Sequence, residues 1–165
     1  MSDMIRQARA EDAPAIARIS AHMIRNTLIT FTTEEKPPEA WQETIRERGP
    51  RFLVAEAEGQ VVGYAVYGAF RAGPGYRHAA EHSIQLAPRA QGRGLGRALM
   101  VRLEDIARSD AIHVLVAGVS GANPRGVAFH AALGFTEVGR MPQVGRKWDQ
   151  WLDLVLMQKI LTKAP

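Results

Sequence analysis

The sequence predicts one α/β domain. Helical and strand-like periodicities alternate along the chain, a glycine-rich turn joins a strand directly to a helix, and no linker, repeat or low-complexity tract divides the 165 residues. Residues 5–8 read as a short strand. Asp12 is placed to cap a helix with Pro14 in its first turn, and Ile16, Ile19, Met23 and Ile24 recur at helical spacing to about residue 25. After a loop over 26–37, residues 38–48 form a second helix that ends at Gly49. The β-rich runs 52–57 and 60–70 are joined by Glu58-Gly59, a hairpin signal. Residues 80–86 make a further strand. The glycine turn follows, then a helix from Gly94 to about residue 108 with Leu95, Leu99, Leu103 and Ile106 on one stripe. Residues 113–119 are a strand and 124–132 a helix stopped by Gly134; strands 136–140 and 151–160 close the sheet.

Composition narrows the classes. The hydrophobic content of 46% and charged content of 23% are those of a soluble globular chain large enough for a real core. There is no cysteine, which removes disulfides, thiolate metal sites and a cysteine nucleophile, and fits a cytoplasmic protein. The N-terminus has no signal-peptide apolar core, and no apolar run reaches the ~18 residues of a membrane span. The net charge of +4 comes from dispersed basic residues, so a phosphate-bearing cofactor accounts for it better than nucleic acid. His22, His78, His82, His113 and His130 show no metal-ligand spacing, and no metal is expected.

Chemistry concentrates first in Gln91-Gly92-Arg93-Gly94-Leu95-Gly96-Arg97. Glycine lets the backbone take positive φ and approach a ligand without a Cβ in the way. The first N–H groups of the following helix are unpaired and carry the positive end of its dipole, so the turn is built for phosphate. The spacing is not the G-x-G-x-x-G of dinucleotide folds, and no Gly-Lys pair supports a nucleotide P-loop. A second cluster, Asn123 through Phe135, reads as a short helix capped by Asn123, started by Pro124 and ended at Gly134. A capped helix packing Phe129, Leu133 and Phe135 into the core would account for it equally well.

Gln91-x-x-Gly94-x-Gly96 resembles the pyrophosphate loop of the GNAT superfamily of N-acetyltransferases, and Asn123 with the segment Phe129 to Phe135 resembles that superfamily's later motif. Tyr76-Arg77-His78-Ala79-Ala80-Glu81-His82-Ser83-Ile84, Trp151-Leu152-Asp153 and the early Phe31 are similar to the phosphinothricin and methionine sulfoximine acetyltransferase branch, over nearly the whole chain. The resemblance implies one GNAT domain: a single mixed, mostly antiparallel twisted sheet of about seven strands flanked by about four helices. Its central strands would splay, with a bulge in the strand leading to the glycine loop. It also implies acetyl-CoA as co-substrate, held by Ile84, Gln85, Leu86, Gln91, Gly92, Arg93, Gly94, Leu95, Gly96, Arg97 and Asn123. The acceptor would be a small amine held by Phe31, Arg71, Tyr76, Glu81, Ser83, Lys147 and Trp148. A homodimer is implied as well, with the last strand, 151–160, pairing across it.

The chemistry needs these residue types. A primary amine is protonated at neutral pH and attacks a thioester only after losing a proton, which a carboxylate or imidazole can take. A thiolate, whose thiol has pKa about 8.5, leaves more readily when an acid protonates it. Glu81 is expected as base and His130, at the family's Tyr position, as proton carrier near the sulfur. The pattern departs from the family at Gln85 (commonly Tyr), at Ala72-Gly73-Pro74-Gly75 (commonly with an Arg) and at Gln150 (commonly Arg). The cofactor half is thus intact and the acceptor half altered. Three readings follow: an acetyltransferase for amino-acid analogues, one for another amine or a protein N-terminus, and a non-catalytic acetyl-CoA binder. Glu81, Asn123 and His130 together argue against the last.

Overall fold

Strand β1 (Met4–Gln7) leads into helix α1 (Ala13–Asn26), a loop and helix α2 (Pro38–Arg48). The hairpin of β2 (Phe52–Ala57) and β3 (Gln60–Ala69) follows, then β4 (Ala79–Leu86), α3 (Leu95–Ser109), β5 (Val114–Ser120) and α4 (Pro124–Ala132). The chain closes with β6 (Thr136–Lys147) and β7 (Gln150–Ile160). This computed structural model describes residues 3–162. Its strands form one seven-stranded sheet in the order β1-β2-β3-β4-β5-β7-β6, antiparallel except for the parallel pair β4–β5.

Strand alternation gives each face its own core. On one face Ile16 and Ile19 of α1 and Trp41 and Ile45 of α2 pack on Phe52, Val54 and Tyr64. Trp41 meets Phe52 and Tyr64 edge-on, with centroids 6.1 and 5.4 Å apart. On the other face Leu95, Leu99 and Leu103 of α3 pack with Leu53, Ala55 and Ala65, and Phe129 of α4 joins them. The stripes expected on α1 and α3 are the buried ones, except that Ile106 is only partly buried. Asp12 differs from expectation. It makes no side-chain cap; its carboxylate accepts from the Arg9 N–H at 2.7 Å and pairs with the Arg6 guanidinium at 2.8 Å, a stronger partner than a helix N–H.

The feature that positions the site is a fork in the sheet. β4 and β5 pair only from Ala79↔Val114 to His82↔Ala117. Beyond that point β4 stays on β3 as far as Leu86↔Gly63, and β5 stays on β7 as far as Ser120↔Leu154. The two middle strands therefore part company, leaving Ser83–Leu86 without a partner on one side. The register of β3 with β4 is unbroken, so the fork opens without the bulge expected there.

The last hairpin is longer than the sequence suggests. β6 continues to Lys147, with register shifts after Glu137 and Met141 that break its alternation. Its turn is Trp148-Asp149, both at positive φ (50° and 58°), the geometry of a two-residue hairpin loop. β7 lies between β5 and β6 and is paired on both sides from Leu154 to Gln158, while Gln150, Trp151 and Leu152 pair with β6 alone. The last strand thus offers a second copy little free edge; the full-length edge on this side of the sheet belongs to β6.

Candidate active site

The fork holds an inner cavity that opens into an outer groove. Glu81, His82, Ser83, Ile84 and Gln85 of β4 line one side of the cavity, and Ala117, Gly118, Val119 and Ser120 of β5 the other. Ile29, Thr30 and Phe31, from the loop between α1 and α2, close it. The groove continues past Ile84, Gln85 and Leu86 to Gln91, Gly92, Gly94, Gly96 and Arg97. Its opposite wall is Asn123, Arg125, Gly126, Phe129 and His130 of the α4 segment. Ile84, Gln85, Asn123 and His130 belong to both spaces, which makes them one continuous passage.

The groove ends at the start of α3, whose geometry suits an anion. Gly94 caps α3 in the left-handed region (φ 80°, ψ −3°), and the first intrahelical bond runs from the Ala98 N–H to its carbonyl at 3.0 Å. The N–H groups of Leu95, Gly96 and Arg97 lie in the turn before that bond, where a helix supplies no acceptor. Gly96 also lets α3 sit close: a Cβ there would lie 3.1 Å from the Phe129 ring and 3.2 Å from Leu86 Cδ1.

Glu81 lies at the base of the fork, still paired with Val116, and a Cβ on Gly118 would sit 3.7 Å from its Oε1. Glu81 is exposed to solvent, yet the walls around its carboxyl partly desolvate it and push it upward, toward a better proton acceptor than a free carboxylate. His130 is buried, and both its nitrogens are engaged: Nδ1 is 2.8 Å from the Gly126 carbonyl and Nε2 is 2.9 Å from Nε2 of His82. Asn123 Oδ1 accepts the Gly126 N–H at 3.0 Å, so the cap holds the α4 end of the groove.

Comparison with known proteins places this architecture. The profile of the acetyltransferase (GNAT) family matches residues 18–135. The chain is 42% identical over 157 residues to the Escherichia coli L-amino acid N-acyltransferase MnaT, covering 93% of this chain and 91% of that one. It is 41% identical to the Salmonella typhimurium L-methionine sulfoximine/L-methionine sulfone acetyltransferase, covering 93% and 92%. The chain belongs to the GNAT acetyltransferase family. Its fold superposes on a Salmonella typhimurium acetyltransferase, yncA, solved with its cofactor acetyl-CoA, with TM-score 0.93, 39% identity and coverage of 100% and 97%.

In this acetyltransferase nine of the expected cofactor residues, Ile84, Gln85, Leu86, Gln91, Gly92, Gly94, Gly96, Arg97 and Asn123, line the groove. The free N–H groups, the open space over Gly94 and the flanking Arg97 and Arg125 suit a pyrophosphate. Arg93 is turned away, paired with Asp3 at 3.1 Å, and the Leu95 side chain is in the core, leaving its N–H at the helix start. Arg125 escaped sequence reading, although its place in the first turn after Asn123 was a usable signal.

On the acceptor side Phe31, Glu81 and Ser83 line the cavity, and the other expected residues do not. The Arg71 guanidinium stacks 5.7 Å over Phe70, and Tyr76 meets the same ring edge-on at 6.2 Å. Trp148 is at the exposed tip of the last hairpin. Lys147 is 2% exposed, its ammonium donating to the Thr27 carbonyl at 2.8 Å and the Thr30 carbonyl at 3.0 Å. It therefore fastens the loop that carries Ile29, Thr30 and Phe31 instead of meeting a substrate. Lys147→Met is expected to cost about 1.5–3 kcal/mol of stability, the value of hydrogen bonds to a charged group, and to raise the acceptor KM. Urea unfolding with steady-state kinetics checks this; a loss of kcat with stability and KM unchanged would return Lys147 to the reaction itself.

Among the described residues no group of three or more His, Cys, Asp or Glu is placed to hold a metal ion, and no helix is long and apolar enough to cross a membrane.

Proposed function

We propose that this acetyltransferase moves the acetyl group of acetyl-CoA onto the α-amine of a small amino-acid analogue of the methionine sulfoximine, methionine sulfone or phosphinothricin type. The observation that carries the reading is the passage through the fork: a glycine-capped helix start with open N–H groups at one end and the Glu81 carboxylate at the other. Pyrophosphate lies on the N–H groups of the glycine loop and α3, and pantetheine runs along the unpaired side of Ile84, Gln85 and Leu86. The amine enters beside Phe31 and Ser83 and gives its proton to Glu81, directly or through water. The free amine attacks the thioester in a ternary complex. A main-chain N–H near Leu86 stabilises the developing oxyanion. As the adduct collapses the C–S bond breaks, and the thiolate leaves beside His130 and takes up the second amine proton as the free CoA thiol.

A second acceptor class is favoured by one observation: neither Arg nor Lys is among the residues lining the acceptor cavity. That suits an ordinary amine or a protein N-terminus better than a dianionic amino acid. The reading extends to a homodimer acting in detoxification in the cytoplasm. The free edge of β6 and the exposed Val138, Met141, Val144 and Trp151 of the last hairpin support the dimer. Release of free CoA from acetyl-CoA in the presence of each amine class tests the acceptor.

A further inference from the structure

Glu81, His82 and His130 are the ionisable side chains lining the acceptor cavity, and the reading above gives His82 no task. Its ring is 5% exposed, and its Nε2 lies 2.9 Å from Nε2 of His130. The other nitrogen of His130, Nδ1, lies 2.8 Å from the Gly126 carbonyl. A carbonyl only accepts, so the His130 hydrogen is on Nδ1. A neutral imidazole carries one N–H, which leaves Nε2 of His130 bare, an acceptor that must take its hydrogen bond from Nε2–H of His82. The remaining nitrogen of His82, Nδ1, is then bare too; it is buried and makes no hydrogen bond of good geometry, the Val116 backbone being its nearest polar influence. The hydrogen bonds from His82 to His130 and from His130 to Gly126 fix the assignment, and it leaves the orphan as a weak acceptor, which is tolerated better than a buried unpaired N–H.

Both rings stay neutral. Burial, then the neighbouring His130, pushes His82 down to about 3, outweighing the Val116 backbone, which favours the charged ring. Burial also lowers His130. Phe129 and Phe135 pack on the His130 ring, with centroids 5.1 and 5.2 Å away. The ionisable side chains on the adjoining walls are Glu81 of β4, Arg97 of α3 and Arg125 of α4; β5 and β7 contribute none to them.

We propose that His82 is a positioning residue that fixes His130 as the Nδ1–H tautomer, so that His130 stands beside the cofactor as an oriented neutral ring, its one N–H given to the Gly126 carbonyl, rather than as a charged acid. The tautomer of an imidazole is set by the hydrogen bond its other nitrogen makes, and here that bond crosses from β4 to α4 at the junction of cavity and groove. The proposal rests on the acetyltransferase reading and specifies how one of its residues is held.

His82→Gln keeps an amide N–H within reach of His130, whereas His82→Met fills similar space with no donor. With an acceptor that the wild type acetylates, Gln is expected to stay within about threefold of wild-type kcat and Met to lose about 10-fold, the scale of one net hydrogen bond. KM for acetyl-CoA is expected to hold in both. A Met variant as active as wild type, or equal losses in both variants, would overturn the proposal. Nitrogen-15 histidine NMR of the wild type decides the tautomer without any variant: His130 is expected neutral with its hydrogen on Nδ1 at pH 7. A hydrogen on Nε2, or a charged ring, would overturn it. Wild-type protein that acetylates no amine defeats the acetyltransferase reading instead, and the NMR result still decides the tautomer.

Discussion

Glu81→Gln is expected to lower turnover by about 10²-fold or more, the low end for loss of a general base, with acetyl-CoA affinity unchanged. The carboxylate lines the inner cavity at the base of the fork, near Gly118, and is absent from the lining of the cofactor groove. Gln keeps its size and removes only its basicity. The pH profile gives the same residue a second signature. Burial raises the Glu81 pKa, so the basic form is lost as pH falls through a value above the ordinary carboxylate range. The acid limb of kcat/KM should therefore lie above that range in the wild type and vanish in the Gln variant. Unchanged turnover would take Glu81 out of the reaction, and weakened acetyl-CoA binding would make it a structural support of the cofactor.

Gly94→Val should weaken acetyl-CoA binding by about 100-fold or more, the loss of two charge-assisted N–H bonds at about 1.5 kcal/mol each. Two effects combine. Gly94 sits at φ 80°, a conformation that costs a β-branched residue roughly 1–3 kcal/mol. A Cβ there meets no protein atom within 4 Å, so the new side chain would project into ligand space without disturbing the core. The variant should therefore fold and fail to bind, a combination that calorimetric titration and thermal unfolding read separately. Binding as tight as wild type would put the phosphates elsewhere.

The glycine loop and the capped α4 were readable from sequence because their signals are local. A phosphate cradle is written in consecutive residues, and so is a capped helix. The β6–β7 hairpin was not. Register shifts after Glu137 and Met141 erase the alternation that marks a strand, and Trp148-Asp149 lacks the Asn-Gly or Asp-Gly of a readable two-residue turn. Lys147 was misplaced for the same reason, since its burial follows from a strand the pattern hides. Asp12 looked like a cap because its position is right; Arg6, six residues earlier, outbids the helix N–H groups for its carboxylate. The fork is non-local altogether. Nothing in residues 83–86 says that the neighbouring strand turns away, and only the family resemblance carried that expectation. The His82–His130 contact joins residues 48 apart. Alternation along β4 places His82 on the same face as Ala80 and Ile84, but no local pattern names its partner.

The measurement closest to the central claim is release of free CoA from acetyl-CoA by the wild-type protein with a panel of amines. The panel comprises phosphinothricin, methionine sulfoximine, methionine sulfone, ordinary amino acids, polyamines and short peptides. Turnover confined to the sulfoximine, the sulfone or phosphinothricin is the predicted result, with the missing cations replaced by other contacts. Acetyl-CoA bound tightly while no amine in the panel releases CoA would contradict it and favour a protein that binds the cofactor without using it.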